Sequence, residues 1–293
     1  MPDRPHIVVI GPGTVGQTLA VLASKAGYRI VGVAARSIDH ATAAAERIGP
    51  TVRVGTAEEI APAGGLVLLT VSDDAIEPLC RDLAAKGCFT RGSTVAHCSG
   101  ALPSGILAPA RDLCGAYIAS LHPFQTFPNV QAGLERFGGT YCFIEGDAPA
   151  VAALRSLASA LGGHPVTMTS QGKLLYHAAA VFASNYLNAV LDAAVTSAGK
   201  AGIDAEDAAA ALAPLIKATL ANIRQFGTAK ALTGPIARGD AHLVARQYHD
   251  VAAADAKLGE LYRHLGDWTV DVALRGGSID QEQAQQLRRS LGL

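Results

Sequence analysis

The segment HIVVIGPGTVGQTLAVLASKAGYRIVGVAARS, His6 to Ser37, restricts the fold more than any other part of the chain. Ile7 to Ile10 is a short unbroken apolar run, the pattern of a parallel strand covered on both faces. It leads directly into GPGTVG, a G-x-G-x-x-G turn built on Gly11, Gly13 and Gly16. Thr14 to Ala26 then has helical spacing and stops at Gly27, and Tyr28 to Ala34 supplies a second strand. Such a unit opens a doubly wound sheet. The first glycine permits a tight turn, the second lets backbone approach a pyrophosphate, and the third lets helix and strand pack closely. Gly11, Pro12, Gly13, Thr14, Val15 and Gly16 therefore form a candidate dinucleotide cradle. A phosphate would rest there on the free N–H groups and positive end of the helix.

The same alternation continues. A helix is expected around Ala41 to Ile48, then a strand in VRVG, a buried strand in GLVLLTVSD and a helix over Ala75 to Ala85. STVAHCSG, GAYIASLHPF and TYCFIEGD read as further strands, Pro149 to Leu161 as a helix, and HPVTM as a last strand. From Ser170 to Leu293 only helical periodicity remains, broken at Gly199–Gly202, at LTGPIARGD and near Gly276–Gly277. The expected fold class is α/β: a Rossmann-type doubly wound domain over 1–168, then an all-α domain over 169–293.

The end of the second strand selects the dinucleotide. An NAD site usually has Asp or Glu there to hold the ribose hydroxyls. Here Ala34-Ala35 is followed by Arg36 and Ser37, a cation and a hydroxyl suited to a 2′-phosphate, so NADP (NADPH) is the expected cofactor. The charge balance, 24 basic against 25 acidic residues, shows no basic stripe and argues against nucleic acid. Arg4 and His6 before the uncharged run Ile7–Ser24 resemble a signal peptide, but Gly11, Pro12, Gly13 and Gly16 interrupt it. No stretch of about 18 residues is continuously apolar, so no membrane span is expected. Five cysteines without a C-x-x-C pair fit reduced thiols in a cytoplasmic protein.

Ligands of such sheets bind beyond the carboxyl ends of the strands. Three of those ends carry chemistry: VSDD (Val71, Ser72, Asp73, Asp74), HCSG (His97 to Gly100) and HPFQTF (His122 to Phe127). Val71, Ser72 and Asp73 are assigned to the cofactor; Ser99, His122 and Gln125 are candidates for substrate. One of the aspartates can instead cap the helix that follows. His97, Cys98 and His122 lack metal-ligand spacing, and no metal is expected. Ser99 with His122 lacks the G-x-S-x-G elbow of a hydrolase.

The helix SQGKLLYHAAAVFASNYLNAVL carries polar groups that packing alone does not need. At about 100° per residue, Lys173, His177, Ala180, Ser184 and Asn188 share one face. A rise of about 1.5 Å per residue sets Lys173 and His177 about 6 Å apart, close enough for one small substrate. Ser184 and Asn188, about 16 and 22 Å further on, fit contacts to another helix or subunit. With Ser170 as N-cap, Lys173 would sit where the helix dipole opposes a cation, which suits a general acid. Lys173 and His177 are the catalytic candidates. In LTGPIARGD, Gly234-Pro235 makes a turn, Asp240 can cap the next helix, and Arg238 can grip a carboxylate.

Together GPGTVG, LLTVSDDAI, HCSGAL, SLHPFQTF, KLLYHAAAVFASNYL and LTGPIARGD resemble a bacterial family of Rossmann-like NADP oxidoreductases whose C-terminal helical domain long lacked an assigned function. That family is similar to the group with a C-terminal domain like that of 6-phosphogluconate dehydrogenase. Ketopantoate reductase, pyrroline-5-carboxylate reductase, prephenate dehydrogenase and 3-hydroxyisobutyrate dehydrogenase belong to it. The resemblance implies that Lys173 protonates a carbonyl oxygen as hydride arrives. His177 stands where the hydroxyacid members have asparagine, and HPFQ is similar to the HPM-type motif of prephenate dehydrogenases, which implies that His122 and Gln125 line the pocket. The implied activity is NADPH-dependent reduction of a small carbonyl acid, a 2-keto acid such as 2-dehydropantoate. A cyclic-imine reductase, a prephenate-type dehydrogenase, a deazaflavin-dependent NADP oxidoreductase and a non-catalytic NADP sensor are the alternatives. The group commonly forms homodimers through the helical domain, which implies a role there for Ser184, Asn185 and Asn188.

Overall fold

The strands follow from the short apolar runs. A computed structural model describes residues 4–293, and among them eight strands form one sheet. They are β1 Ile7–Ile10, β2 Ile30–Ala34, β3 Arg53–Gly55, β4 Leu66–Leu69, β5 Thr94–His97, β6 Tyr117–Pro123, β7 Tyr141–Gly146 and β8 His164–Thr167. The order is β3-β2-β1-β4-β5-β6-β7-β8. Every neighbouring pair is parallel except β6 and β7, so the sheet is mixed at one edge. The connecting helices are α1 Thr14–Lys25, α2 Ile38–Ile48, α3 Ala57–Ile60, α4 Asp73–Ala85, α5 Ala108–Cys114, α6 Val130–Arg136 and α7 Ala148–Ala160.

Alternation along the strands builds a core on each face. Ile7, Val9, Leu66, Leu68, Ala96, Leu121 and Ile144 join one cluster, and Val8, Ile10, Val67, Leu69, Val95 and Ile118 the other. Polar residues interrupt the second face at one level. Leu69 pairs with His97, His97 with Ser120, and Ser120 with Glu145, which lines up the last rung of β4 and β5 with two buried polar groups.

The long helix expected from Ser170 is not one continuous α-helix. Ser170–Gly172 is a 3-10 turn, α8 runs Lys173–Val181, Phe182–Tyr186 is a π-turn, and α9 runs Leu187–Lys200. A π-turn bonds i to i+5 in place of i to i+4. The single stripe expected from Lys173 to Asn188 required an unbroken α-helix, which the π-turn interrupts. The first compact unit of the chain ends at Ser184, inside the π-turn, and the second is Asn185–Leu293. The change of texture at 168 thus precedes the break in compactness, because the first two turns of α8 are bonded to the sheet.

The second unit contains α9, α10 Ala205–Lys230, α11 Ala241–Ala254, α12 Ala256–Gly276 and α13 Gln281–Ser290. Gly227 (φ 77°) kinks α10. Ile236, Val244, Val270, Ala273, Leu287 and Leu291 form its core. Asp240 caps α11 through Leu243 N at 3.0 Å, as the sequence suggests. The run Ser170–Lys200 is, by length and composition only, long and apolar enough to cross a membrane, and none of its most apolar stretch is buried.

Candidate functional site

The three glycines of the turn are set apart by what a side chain would meet. At Gly11 (φ 83°) a Cβ would collide with Val71 Cγ1 and lie 2.9 Å from Val71 N. At Gly16 it would collide with Thr70 Oγ1 and lie 3.1 Å from Val9 Cγ1. At Gly13 the nearest atom would be Gly11 O at 4.0 Å. Turn geometry and packing demand the first and third glycines; the protein itself leaves the second open. The helix that follows has Gly13 as N-cap with no side-chain bond and no acid in its first turn, so its leading N–H groups, on Thr14 and Val15, stay available.

Two supports of this turn were not anticipated. Gln17, buried inside α1, donates to Pro12 O (2.7 Å) and accepts from Arg47 of α2 (2.6 Å). Thr70 donates to Gly11 O at 2.7 Å. Beyond β2, Arg36 is exposed, and Ser37 caps α2 by accepting from His40 N at 3.3 Å. Val71 leans on Gly11, while Ser72 and Asp73 are exposed at the start of α4.

Ser99 is committed to its own loop and to the start of α4. Its hydroxyl donates to Asp73 (2.8 Å) and accepts from Ala101 N and Leu102 N (3.2 and 3.1 Å). Its amide donates to His97 Nδ1 at 3.1 Å, so His97 carries its proton on Nε2, which faces Pro103 O at 3.3 Å. His97 is fully buried, and burial with the nearby Lys173 charge pulls it down to about 4. Among the described residues no group of three or more His, Cys, Asp or Glu could hold a metal ion.

Lys173 does not reach solvent. Only 2% of it is exposed. Its Nζ donates to Ser120 Oγ of β6 and lies 3.3 Å from Glu145 Oε1 of β7. Ser170, expected to cap the helix, instead donates to Glu145 Oε2 at 2.6 Å. Ser104 completes the set, with its amide on Oε1 (2.6 Å) and its hydroxyl on Oε2 (2.7 Å). Burial pushes the Lys173 amine below the usual lysine range, and Glu145 opposes that shift. Burial penalises the Glu145 carboxylate too, but the Ser170 and Ser104 hydrogen bonds and the Lys173 charge outweigh it and hold it below its ordinary value.

One helical turn on, Tyr176 Oη is 2.7 Å from His122 Nδ1, and Tyr176 stacks near Phe143 with centroids 4.5 Å apart. His122 and His177 face each other edge-on at 6.0 Å. Both close over Gly100, where a Cβ would lie 2.6 Å from His177 Nδ1 and 2.8 Å from His122 Nε2. Burial, then His177 and Lys173, lower His122 to about 4. His177 Nδ1 is buried without a hydrogen-bond partner. Gln125 is exposed and accepts from Thr126 N at 2.9 Å, while Arg238 is exposed in the second unit.

Lys173, His122 and His177 therefore gather against β6, β7 and the loop after β5 with Ser120, Glu145, Ser104, Tyr176 and Gly100, which the sequence reading missed. Glu145 left a readable sign: it is an acid in a strand otherwise apolar, in phase with Phe143. Ser120 left none, since serine is common in strands that pack small residues.

Residues 1–123 match a Rossmann-like domain, and residues 140–269 match a domain described as Domain of unknown function (DUF2520). No curated protein matches the sequence. Among solved structures, a Bacteroides fragilis protein provisionally assigned as an NADP oxidoreductase shares 22% identity over 98% of each chain, with TM-score 0.73. An imine reductase from a Pseudomonas species shares 20% over 98% of this chain and 99% of that one (TM-score 0.67). A reductive aminase from Aspergillus terreus, in complex with NADPH and ethyl-5-oxohexanoate, shares 18% over 98% and 99% (TM-score 0.65). The resemblance drawn from the six motifs is borne out in domain content and fold: the chain joins a Rossmann-like domain to a DUF2520 domain, in the fold of these oxidoreductases and reductases.

Proposed function

We propose that the chain is an NADP(H)-dependent oxidoreductase that reduces a small carbonyl acid, with Lys173 as proton donor. The observation that carries this reading is Gly13, a glycine that nothing in the protein's own packing requires, at the mouth of an uncapped helix. The backbone of Gly11 to Gly16 would hold the pyrophosphate, and Arg36 with Ser37 would take the 2′-phosphate. Val71, Ser72 and Asp73 would flank the rest of the nucleotide. When bound, NADPH supplies a hydride.

The chain's own residues handle the proton. Lys173 has two of its three N–H groups engaged by Ser120 and Glu145, which leaves one for an oxygen gaining negative charge. Low-dielectric surroundings favour the neutral amine, so the ammonium releases its proton more readily than in water. His122 is neutral at pH 7 and, with His177, can hydrogen-bond substrate beside Gly100. The specific substrate proposed is 2-dehydropantoate. Reduction of an imine is the second reading, favoured by the similarity to an imine reductase and a reductive aminase.

A screen of 2-keto acids and cyclic imines with NADPH and NADH, and of prephenate with NADP+ and NAD+, tests both. NADPH oxidation with a 2-keto acid is expected, and Arg36→Ala should weaken NADPH binding about 10–100-fold while sparing NADH, from the loss of a charge-assisted bond of about 1.5–3 kcal/mol. NADPH binding without turnover on any of these would favour a sensor.

The uncovered apolar surface of the second unit supports a homodimer through that unit. Leu215 (62% exposed), Leu220 and Trp268 are exposed there, along with the apolar face of α9. Light scattering should return twice the 30.0 kDa chain mass; a monomer would rule the dimer out. A cytoplasmic location accords with the cysteines, all five of them free.

A further inference from the structure

We propose that Glu145 is the positioning residue of the reducing site, holding the Lys173 ammonium in place from β7 and keeping it charged. The inference rests on the reading of Lys173 as proton donor. Cα pairing sets Glu145 directly opposite Ser120, so both acceptors of the amine stand on one rung of the sheet. The carboxylate is itself clamped from two sides. Ser104, in the turn after β5, gives two hydrogen bonds of 2.6 and 2.7 Å, and Ser170, just before α8, gives one of 2.6 Å. The amine, the acid and their four supporting bonds thus tie β6, β7, the Ser104 turn and the start of α8 into one geometry.

No other group near the amine can replace this charge. His97 on β5 and His122 on β6 are both drawn down to about 4 and are neutral at pH 7. Burial pushes the Cys98 thiol up to about 12, so it too is uncharged. Asp73 at the start of α4 is exposed and occupied by Ser99. Removing Glu145 therefore leaves a buried ammonium with a hydroxyl as its remaining near partner.

Glu145→Gln separates charge from shape. The amide oxygen can accept from Ser104 N and Lys173, and the NH₂ can donate to the Ser104 and Ser170 hydroxyls, so every bond has a successor. The Lys173 Nζ pKa is read by 15N NMR in cofactor-free protein labelled at lysine Nζ, its resonance assigned by its loss in Lys173→Met. It should fall by about 1–3 units in Glu145→Gln, as expected when an opposite charge within about 4–6 Å is removed. The basic limb of the kcat–pH profile should move down by the same amount with KM little changed, because the donor must be protonated to act. Glu145→Asp keeps the charge at a longer reach and should give an intermediate value, a readout that survives if the glutamine variant does not fold. An Nζ pKa unchanged in both variants overturns the proposal. A fallen Nζ pKa with an unmoved basic limb upholds the Glu145–Lys173 coupling and overturns Lys173 as the proton donor instead.

Discussion

Lys173→Met is expected to lower kcat by about 10²–10⁴-fold, the usual contribution of a positioned general acid, while NADPH binds as before. The variant should fold. Methionine fills the space of the lysine stem, and Glu145 keeps three donors, two from Ser104 and one from Ser170. The carboxylate loses its counter-charge and the Lys173 bond but keeps the three serine hydrogen bonds. Steady-state turnover beside a fluorescence titration with NADPH separates the two effects. Retained turnover with unchanged cofactor affinity would remove Lys173 from the chemistry and leave it a structural cation.

Glu145→Ala should have the opposite profile, a large loss of stability. Taking one partner from a buried ion pair typically costs about 3–5 kcal/mol, because the survivor stays buried and uncompensated. Here the survivor is Lys173, 2% exposed, with Ser120 as its remaining near acceptor. The alanine also strands Ser104 N, which donates to Glu145 at 2.6 Å. Urea unfolding measures the loss, and adding Lys173→Met to Glu145→Ala should recover part of it by removing the orphaned charge. A double variant no more stable than Glu145→Ala alone would show that the cost lies in the Ser104 and Ser170 bonds.

The contrast between these two variants shows how much of the site a sequence can reveal. Lys173 was readable because a cation in the first turn of an otherwise apolar helix is a local anomaly. Glu145, 28 residues earlier, was equally anomalous in its strand, but nothing local joins the two. Their pairing depends on β7 running antiparallel to β6, an exception in a sheet otherwise parallel between neighbours. Ser170 shows the same limit. Its spacing fits a helix cap, and a buried carboxylate from another element claims its hydroxyl instead.

What the sequence by itself determined is local: the apolar strand runs, the positive-φ turn at Gly11, the close packing at Gly16, and the open backbone at Gly13. These depend on periodicity and on sterics within a few residues or across a single βαβ unit. Tertiary structure alone decided the partners of Lys173, the neutral state and tautomer of His97, the closure of His122 and His177 over Gly100, and the π-turn at Phe182–Tyr186. Each of those turns on burial and on contacts between distant strands and helices, and a buried charge takes its character from whichever group the fold sets against it.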